Sequence, residues 1–143
     1  FLNLKGAHST EIDPNTPYPV VDFLERQKGL LETGGTMRLG AFDIQITPDT
    51  KLFEAYNKET VRERFRHRFH IMEKFLNETP GAEKLRISGR DLTGKIVNAI
   101  ELIDKEHWMV GTQFHAEFKS RPYAPSPLYR AFIKAIKKDK NKK

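Results

Sequence analysis

Apolar and polar residues alternate with a period of two in two parts of the chain, which is typical of strands that bury one face. One part is AFDIQIT, residues 41–47, and the other is VRERFRHRF, residues 61–69. A third segment, residues 84–102, has two apolar-rich runs on either side of DLTG, whose Asp and Gly are turn signals, and it predicts a hairpin. The run HWMVGTQF, residues 107–114, predicts a buried strand that delivers His115 to its C-terminal end.

Caps and stop signals predict short helices in four segments. They are VVDFLERQKG (20–29), PDTKLFEAYN (48–57), IMEKFLNETPG (71–81) and SPLYRAFIKAIKK (126–138). The second has Thr50 or Asp49 as its N-cap. The last has Ser126 as N-cap and Pro127 in its first turn, and its predicted apolar stripe consists of Leu128, Phe132, Ile133 and Ile136. Strands mixed with short helices indicate an α/β domain, in which ligands bind beyond the C-terminal ends of strands.

Two segments show neither period. Residues 13–19, DPNTPYP, hold three prolines and predict an extended loop or turns. Residues 32–40, ETGGTMRLG, predict a loop because paired glycines give the backbone conformational freedom. The second loop could cradle a phosphate, but it lacks the glycine-to-lysine spacing and the following Ser or Thr of a P-loop. A lid or a tight turn is therefore the favoured interpretation.

Composition narrows the class of protein. The length of 143 residues suits one domain, and a mean hydropathy of −0.62 with 31% charged residues argues against a membrane partner. There is no cysteine, which excludes disulfides and thiolate metal sites within this sequence and fits a reducing, cytoplasmic compartment.

The net charge of +6 is unevenly distributed along the chain. Residues 134–143 hold six lysines and one aspartate, so they contribute +5, and the other residues carry only +1 (6 minus 5). A basic tail of this kind can bind nucleic acid or acidic surfaces. The favoured interpretation is a solvated helix end or a frayed terminus, with no nucleic acid partner.

His115 and Glu117 are the first candidates for chemistry. A carboxylate bonded to one nitrogen of an imidazole fixes its tautomer and stabilises the imidazolium, so the other nitrogen can take a proton from a thiol or hydroxyl. The spacing H-x-E is also met by an ordinary histidine at a strand end that bonds a nearby acid. The pattern alone leaves both interpretations open.

The arginines of residues 61–69 offer a second kind of site. Arg62, Arg64, Arg66 and Arg68 share one face of the predicted strand, and arginine binds carboxylates and phosphates in a fork. The interleaved Phe and His could stack RNA bases, but a solvated face paired with acids is the favoured interpretation. His67 and His70, with His107 or His115, could ligate zinc. The sequence has no H-E-x-x-H or cysteine spacing, so no metal site is predicted.

Five motifs occur in one order along the chain: STE before DPNTPYPV, GGTMRLG, RERFRHRF, VGTQFHAEFKSRP and PLYRAF. Together, from about Leu4 to Phe132, they resemble the glutamine amidotransferase domain of the CTP synthase family. The resemblance implies the C-terminal portion of a class I, triad-type amidotransferase domain, an α/β flavodoxin-like fold with a mixed sheet flanked by helices. Residues 1–133 would form this partial domain, and residues 134–143 the Lys-rich C-terminal tail.

The family's chemistry sets the functional expectation. CTP synthases are ligases of pyrimidine nucleotide biosynthesis that aminate UTP to CTP with ATP and Mg2+, using ammonia released from glutamine. ATP and Mg2+ belong to a separate synthetase domain, and GTP activates glutamine hydrolysis, so no cofactor is expected in this chain. The resemblance also implies a cytoplasmic homotetramer.

The family's functional residues can be placed by motif. His115 resembles the general base and Glu117 the acid that orients it. Glu11 resembles the residue that binds the glutamine amino group, and Arg68 the partner of its α-carboxylate, which suits a zwitterion. The family's lid, linked to GTP activation and ammonia transfer, matches Gly34, Gly35, Thr36, Met37 and Arg38.

The sequence departs from the family pattern in three ways. Ala116 replaces the usual proline of H-P-E, and Phe65 and Phe69 replace a His and a Tyr in the arginine segment. The nucleophile elbow, which carries the family's Cys and part of its oxyanion hole, is absent from these 143 residues. We expect this chain to be inactive in isolation, to need a partner segment carrying the elbow and the synthetase domain, and to expose the apolar edge of residues 107–114 without it. The alternative is a catalytically incomplete remnant that binds glutamine or serves as a scaffold.

Overall fold

The computed structural model describes residues 2–23 and 38–140. Its strands are β1 (Ala7–Ser9), β2 (Tyr18–Asp22), β3 (Arg38–Ile46), β4 (Thr60–His67), β5 (His70–Ile71), β6 (Leu85–Asp91), β7 (Val97–Leu102) and β8 (Val110–Thr112). Its helices are α1 (Lys51–Tyr56), α2 (Lys74–Asn77) and α3 (Pro127–Lys140). Two single 3-10 turns, Ala82–Lys84 and Ala116–Phe118, complete the described elements.

The strands form two sheets. A five-stranded antiparallel sheet has the order β4-β3-β6-β7-β8, and a three-stranded sheet has the order β1-β2-β5. The second sheet is mixed, because β1 and β2 are parallel whereas β2 and β5 are antiparallel. Sheets combined with helices confirm the α/β class that the sequence predicts.

The long antiparallel pair of β3 and β4, whose connection contains α1, organises the core. Ile44 lies opposite Val61 and Gly40 opposite Phe65, so the alternation places the apolar residues of both strands on one face. Ile44 and Phe65 are almost fully buried there, together with Phe114, which precedes His115. The predicted alternation in residues 41–47 and 61–67 is confirmed, as is the predicted hairpin of β6 and β7.

Helix α1 is fixed at its N-terminus by two side chains. The hydroxyl of Thr50 accepts a hydrogen bond from the Phe53 N–H, which confirms the predicted cap. The buried carboxylate of Glu101 accepts the N–H groups of Lys51 (2.9 Å) and Leu52 (3.1 Å). Arg86 Nε donates to the same carboxylate at 2.8 Å, so β6, β7 and α1 meet at one ion pair.

The prediction of a helix over residues 20–29 is wrong at its start. Val20, Val21 and Asp22 belong to β2. Branched side chains suit a strand, and β2 gains partners on both sides from β1 and β5. Residues 24–29 lie outside the described part of the chain. The predicted helix over residues 71–81 is also shorter than expected, because Ile71 pairs in β5 and only Lys74–Asn77 are helical.

Burial differs from the prediction in two apolar segments. Residues 107–114 form a buried strand only in part, because β8 spans Val110–Thr112, is half-buried and pairs with β7 alone among the described strands. The predicted stripe of α3 buries Leu128, but it leaves Phe132, Ile133 and Ile136 exposed by 46%, 51% and 37%. Helix α3 packs against α1, and its buried Leu128 belongs to the hydrophobic core. In the described part of the chain, no helix is long and apolar enough to cross a membrane.

Candidate active site

The candidate base and its acid are in direct contact. His115 Nδ1 lies 2.7 Å from Glu117 Oε1. Because a carboxylate accepts, this contact favours the neutral tautomer with hydrogen on Nδ1, which makes Nε2 the basic nitrogen. The predicted H-x-E pair is therefore formed.

The pair is carried by the turn Ala116–Phe118, which we call the site turn. His115 precedes it, and Phe114, one residue earlier, is anchored in the core against Phe65. The His115 N–H donates to the Arg64 carbonyl at 2.9 Å, and the Phe118 ring stacks on the His115 ring with centroids 5.2 Å apart. The backbone and the ring of His115 are thus both held in place.

Electrostatics favour a charged carboxylate at Glu117. Its pKa lies below the usual value, first because its own backbone N–H bonds the carboxylate and further because His115 does. Tyr129 OH donates to the second oxygen, Glu117 Oε2, at 3.5 Å. The pKa of Tyr129 is raised by burial and by the charge of Glu117. A negative Glu117 beside the ring is what an orienting acid requires.

His67 is a second histidine close to the pair. Burial, together with the neighbouring charges of His70, Arg38 and His115, lowers its pKa to about 4. Its ring lies 5.3 Å from the His70 ring. His67 is therefore neutral near neutral pH. The bond from the His115 N–H to the Arg64 carbonyl places this part of β4 beside the site turn.

Arg38 is the one predicted lid residue within the described ranges, since Gly34, Gly35, Thr36 and Met37 lie outside them. Its guanidinium lies over the Phe65 ring at 3.8 Å and donates through Nη1 to Asn98 Oδ1 at 2.5 Å. Burial lowers the pKa of Arg38. The side chain thus anchors the start of β3 to the core instead of extending into solvent.

The topology brings Glu11 and Arg68 to one end of the three-stranded sheet. Ser9 lies opposite Val21 at the end of β1, and Glu11 follows two residues later. His70 opens β5 opposite Asp22, and Arg68 precedes it by two residues. Thr10 Oγ1 donates to Asp22 Oδ1 at 2.7 Å and ties the end of β1 to β2. The backbone positions of Glu11 and Arg68 therefore lie at the same end of this sheet, and Arg68 directly follows His67 in the chain.

The arginine stripe divides into two parts. Arg62, Arg64 and Arg66 are exposed on the solvent face of β4, and Arg62 pairs with Asp43 at 3.1 Å. Arg68 comes after the strand ends and is half-buried, so it does not share that face. The predicted solvated stripe thus covers three arginines, and Arg68 lies outside it.

The zinc hypothesis gains no support from the geometry. His107 contacts Asp104 at 2.6 Å in an exposed loop. Across residues 2–23 and 38–140, no group of three or more His, Asp or Glu side chains is arranged to hold a metal ion.

Sequence reasoning missed two side chains beside the site turn, Glu63 and Lys119. Glu63 is 2% exposed, accepts from Tyr56 OH at 3.1 Å and lies 3.5 Å from Lys119 Nζ. One signal was available, because Glu63 is an acid at a core position between Val61 and Phe65. Such a buried acid needs a partner.

The fold and the histidine–glutamate pair together define the class of protein. The family described as glutamine amidotransferase class-I matches residues 16–135, and the chain belongs to this family. Within it, the chain is 46% identical to the CTP synthase of Bacillus subtilis (strain 168) over 143 residues and 44% identical to that of Pyrococcus furiosus over 144 residues. The alignments cover 99% of this chain and 26% of each relative. The chain thus spans about a quarter of the length of these curated relatives.

A solved structure agrees with this relationship. The glutaminase domain of Trypanosoma brucei CTPS with bound acivicin matches with a TM-score of 0.83 at 29% identity. The match covers 96% of this chain and 53% of that chain. The resemblance to CTP synthases, first seen in the motifs, is confirmed, as is the class I amidotransferase fold.

Proposed function

We propose that this chain takes part in the hydrolysis of glutamine whose ammonia serves the ATP-dependent amination of UTP to CTP. The observation that carries the proposal is the 2.7 Å contact between His115 Nδ1 and Glu117 Oε1, on a turn anchored to β4. Its placement in a chain 46% identical to a CTP synthase supports this reaction over other uses of a histidine–glutamate pair.

In the proposed mechanism, His115 is the general base. Its Nε2 takes the proton of a cysteine thiol, the thiolate attacks the side-chain amide of glutamine, and the imidazolium gives that proton to the departing amino group, which leaves as ammonia. Water then cleaves the thioester to release glutamate and restore the thiol. Glu117 holds the tautomer and stabilises the imidazolium. Because this sequence contains no cysteine, the nucleophile comes from a segment outside it.

Glutamine recognition is assigned to the end of the three-stranded sheet. Glu11 would accept the α-ammonium group, and Arg68 would bind the α-carboxylate in a fork. Their opposite charges at one end of the sheet suit a zwitterion. Residues 34–38 are assigned as the lid linked to GTP activation and ammonia transfer, and its last residue, Arg38, joins β3 to β7 through its bond to Asn98.

The rest of the reaction is assigned to other parts of the protein. ATP, Mg2+ and UTP would bind the synthetase segment, GTP would act as activator, and the complete enzyme would be a cytoplasmic homotetramer. Under this proposal, no residue of this chain binds ATP or Mg2+.

A chimera tests the proposal. The C-terminal quarter of the Bacillus subtilis CTP synthase would be replaced by residues 1–143, and CTP formation would be measured with glutamine and with free ammonia. We expect both nitrogen sources to be used. His115→Ala should abolish the glutamine-dependent rate and leave the ammonia-dependent rate largely intact, because only the first needs the base.

The control is the unsubstituted chimera assayed with ammonia, which reports on folding and on the synthetase site. If that chimera used ammonia but not glutamine, the assignment of a working His115–Glu117 pair would be wrong. The second candidate function, a catalytically incomplete remnant that binds glutamine or acts as a scaffold, would then be favoured. The absence of cysteine from the sequence is the observation in its support.

A further inference from the structure

The site turn is attached to β4 at two points. The first is the bond from the His115 N–H to the Arg64 carbonyl at 2.9 Å. The second is Lys119, the residue directly after the turn, whose Nζ donates to the Arg62 carbonyl. Among the strands of residues 2–23 and 38–140, β4 is an edge strand, so its carbonyls on one side can accept from the turn.

A buried carboxylate reinforces the second attachment. Glu63 Oε1 lies 3.5 Å from Lys119 Nζ and accepts from Tyr56 OH at 3.1 Å. Burial raises the pKa of Glu63, and the charge of Lys119 opposes that rise. The carboxylate that Lys119 contacts is therefore fixed in position, because Glu63 belongs to β4 and is bonded by Tyr56 of α1.

The site turn needs such support. It is a single 3-10 turn whose closing hydrogen bonds are 3.2–3.3 Å long. The side chains of His115 and Glu117 are 35% and 53% exposed, and exposed pairs gain little from their mutual attraction alone. The Glu117 carboxylate is also held by its own backbone N–H and, at 3.5 Å, by Tyr129 OH. Neither contact fixes the turn to β4, so a shift of the turn would weaken the bond that sets the His115 tautomer.

We propose that Lys119 and Glu63 are positioning residues that lock the site turn onto β4 and so keep His115 Nδ1 bonded to Glu117. The catalytic importance of these two residues rests on the proposed function. Their effect on the His115 tautomer does not, and it can be measured without glutamine.

The experiment measures the tautomer of the neutral His115 ring by 15N NMR at alkaline pH, in the chain without ligand. In the unsubstituted chain we expect the form with hydrogen on Nδ1. Lys119→Met should lose this preference and give a mixture of both tautomers. The side chain of Lys119 is 49% exposed, so the variant should fold, which thermal unfolding checks.

Two matched variants separate positioning from simple charge. Lys119→Arg keeps a donor that reaches the Arg62 carbonyl and Glu63, and it should restore the Nδ1 form. Lys58→Met removes an exposed lysine that lines the same cleft as Lys119 and Glu63, and it should leave the tautomer unchanged.

Three results would overturn the inference. They are an unchanged tautomer in Lys119→Met, the same loss in Lys58→Met, which would indicate a field effect, and a loss in Lys119→Arg. These outcomes are independent of the chimera assay. Glutamine hydrolysis with an unchanged tautomer in Lys119→Met would leave the proposed function standing without the positioning pair.

Discussion

At the scale of single residues, His67 shows how burial changes chemistry next to the site. Its half-buried ring contacts Phe65 and His70, and its pKa is about 4 in the folded protein. The pKa of an unfolded histidine is ~6.5. Between these values the unfolded chain binds a proton at His67 that the folded chain excludes. The contribution of His67 to stability is therefore fully present above the unfolded pKa and is lost as the pH falls toward the folded one.

This difference predicts an acid-dependent loss of stability. The free energy of unfolding should decrease between pH ~6.5 and about 4, and His67→Gln should flatten that part of the profile. Urea unfolding at a series of pH values measures it. His8→Gln, at an exposed histidine, is the matched control and should keep the slope. Equal slopes in the unsubstituted chain and His67→Gln would contradict the prediction.

The sequence predicts the site residues unequally. The contact of His115 with Glu117 follows from a spacing of two residues at a strand end, so local pattern was sufficient. The contact of Lys119 with Glu63 joins positions 56 residues apart in the chain (119 minus 63), and no local pattern reports it. Arg68 was grouped with the other arginines because its period matched, although β4 ends at His67.

At the scale of elements, the sequence predicted correctly those features that depend only on residues close together in the chain. The alternation of β3 and β4, the β6–β7 hairpin and the Thr50 cap were predicted because alternation, turns and caps are all local. Residues 20–22 were assigned wrongly, because their strand depends on pairing with distant β1 and β5. The helix α3 was predicted correctly from its periodicity. The burial of its apolar side was not, because burial depends on which other elements pack against the helix.

The attachment of α1 to the sheet gives an element-scale prediction. Glu101→Gln should lower the free energy of unfolding by about 3 kcal/mol, because it leaves Arg86 without its charged partner and turns an acceptor of the α1 N–H groups into a donor. Urea unfolding measures the loss. Glu73→Gln, which breaks the more exposed pair with Arg90, should cost less than about 1 kcal/mol. Similar losses in both variants would contradict this account of α1.

At the scale of the whole molecule, the described surface includes an apolar side on α3. Phe132, Ile133 and Ile136 are exposed, and the Phe132 ring contacts Trp108 at 5.6 Å between centroids. Monomeric proteins rarely leave a contiguous apolar patch uncovered. The match covers only 53% of the Trypanosoma brucei glutaminase-domain chain, so about half of that chain has no counterpart in this one.

The apolar side of α3 therefore predicts self-association of the isolated chain. Ile133→Lys should lower the weight-average mass in sedimentation equilibrium, and it should change the free energy of unfolding by no more than about 0.5 kcal/mol, because Ile133 is 51% exposed. Ile103→Lys is the matched control, since Ile103 is 49% exposed but follows β7 and is not part of α3, and it should leave the mass unchanged. A monomeric unsubstituted chain, or equal effects of both lysines, would mean that α3 is not the associating surface. A fall in mass seen only in Ile133→Lys would identify the apolar side of α3 as the surface through which copies of the isolated chain associate.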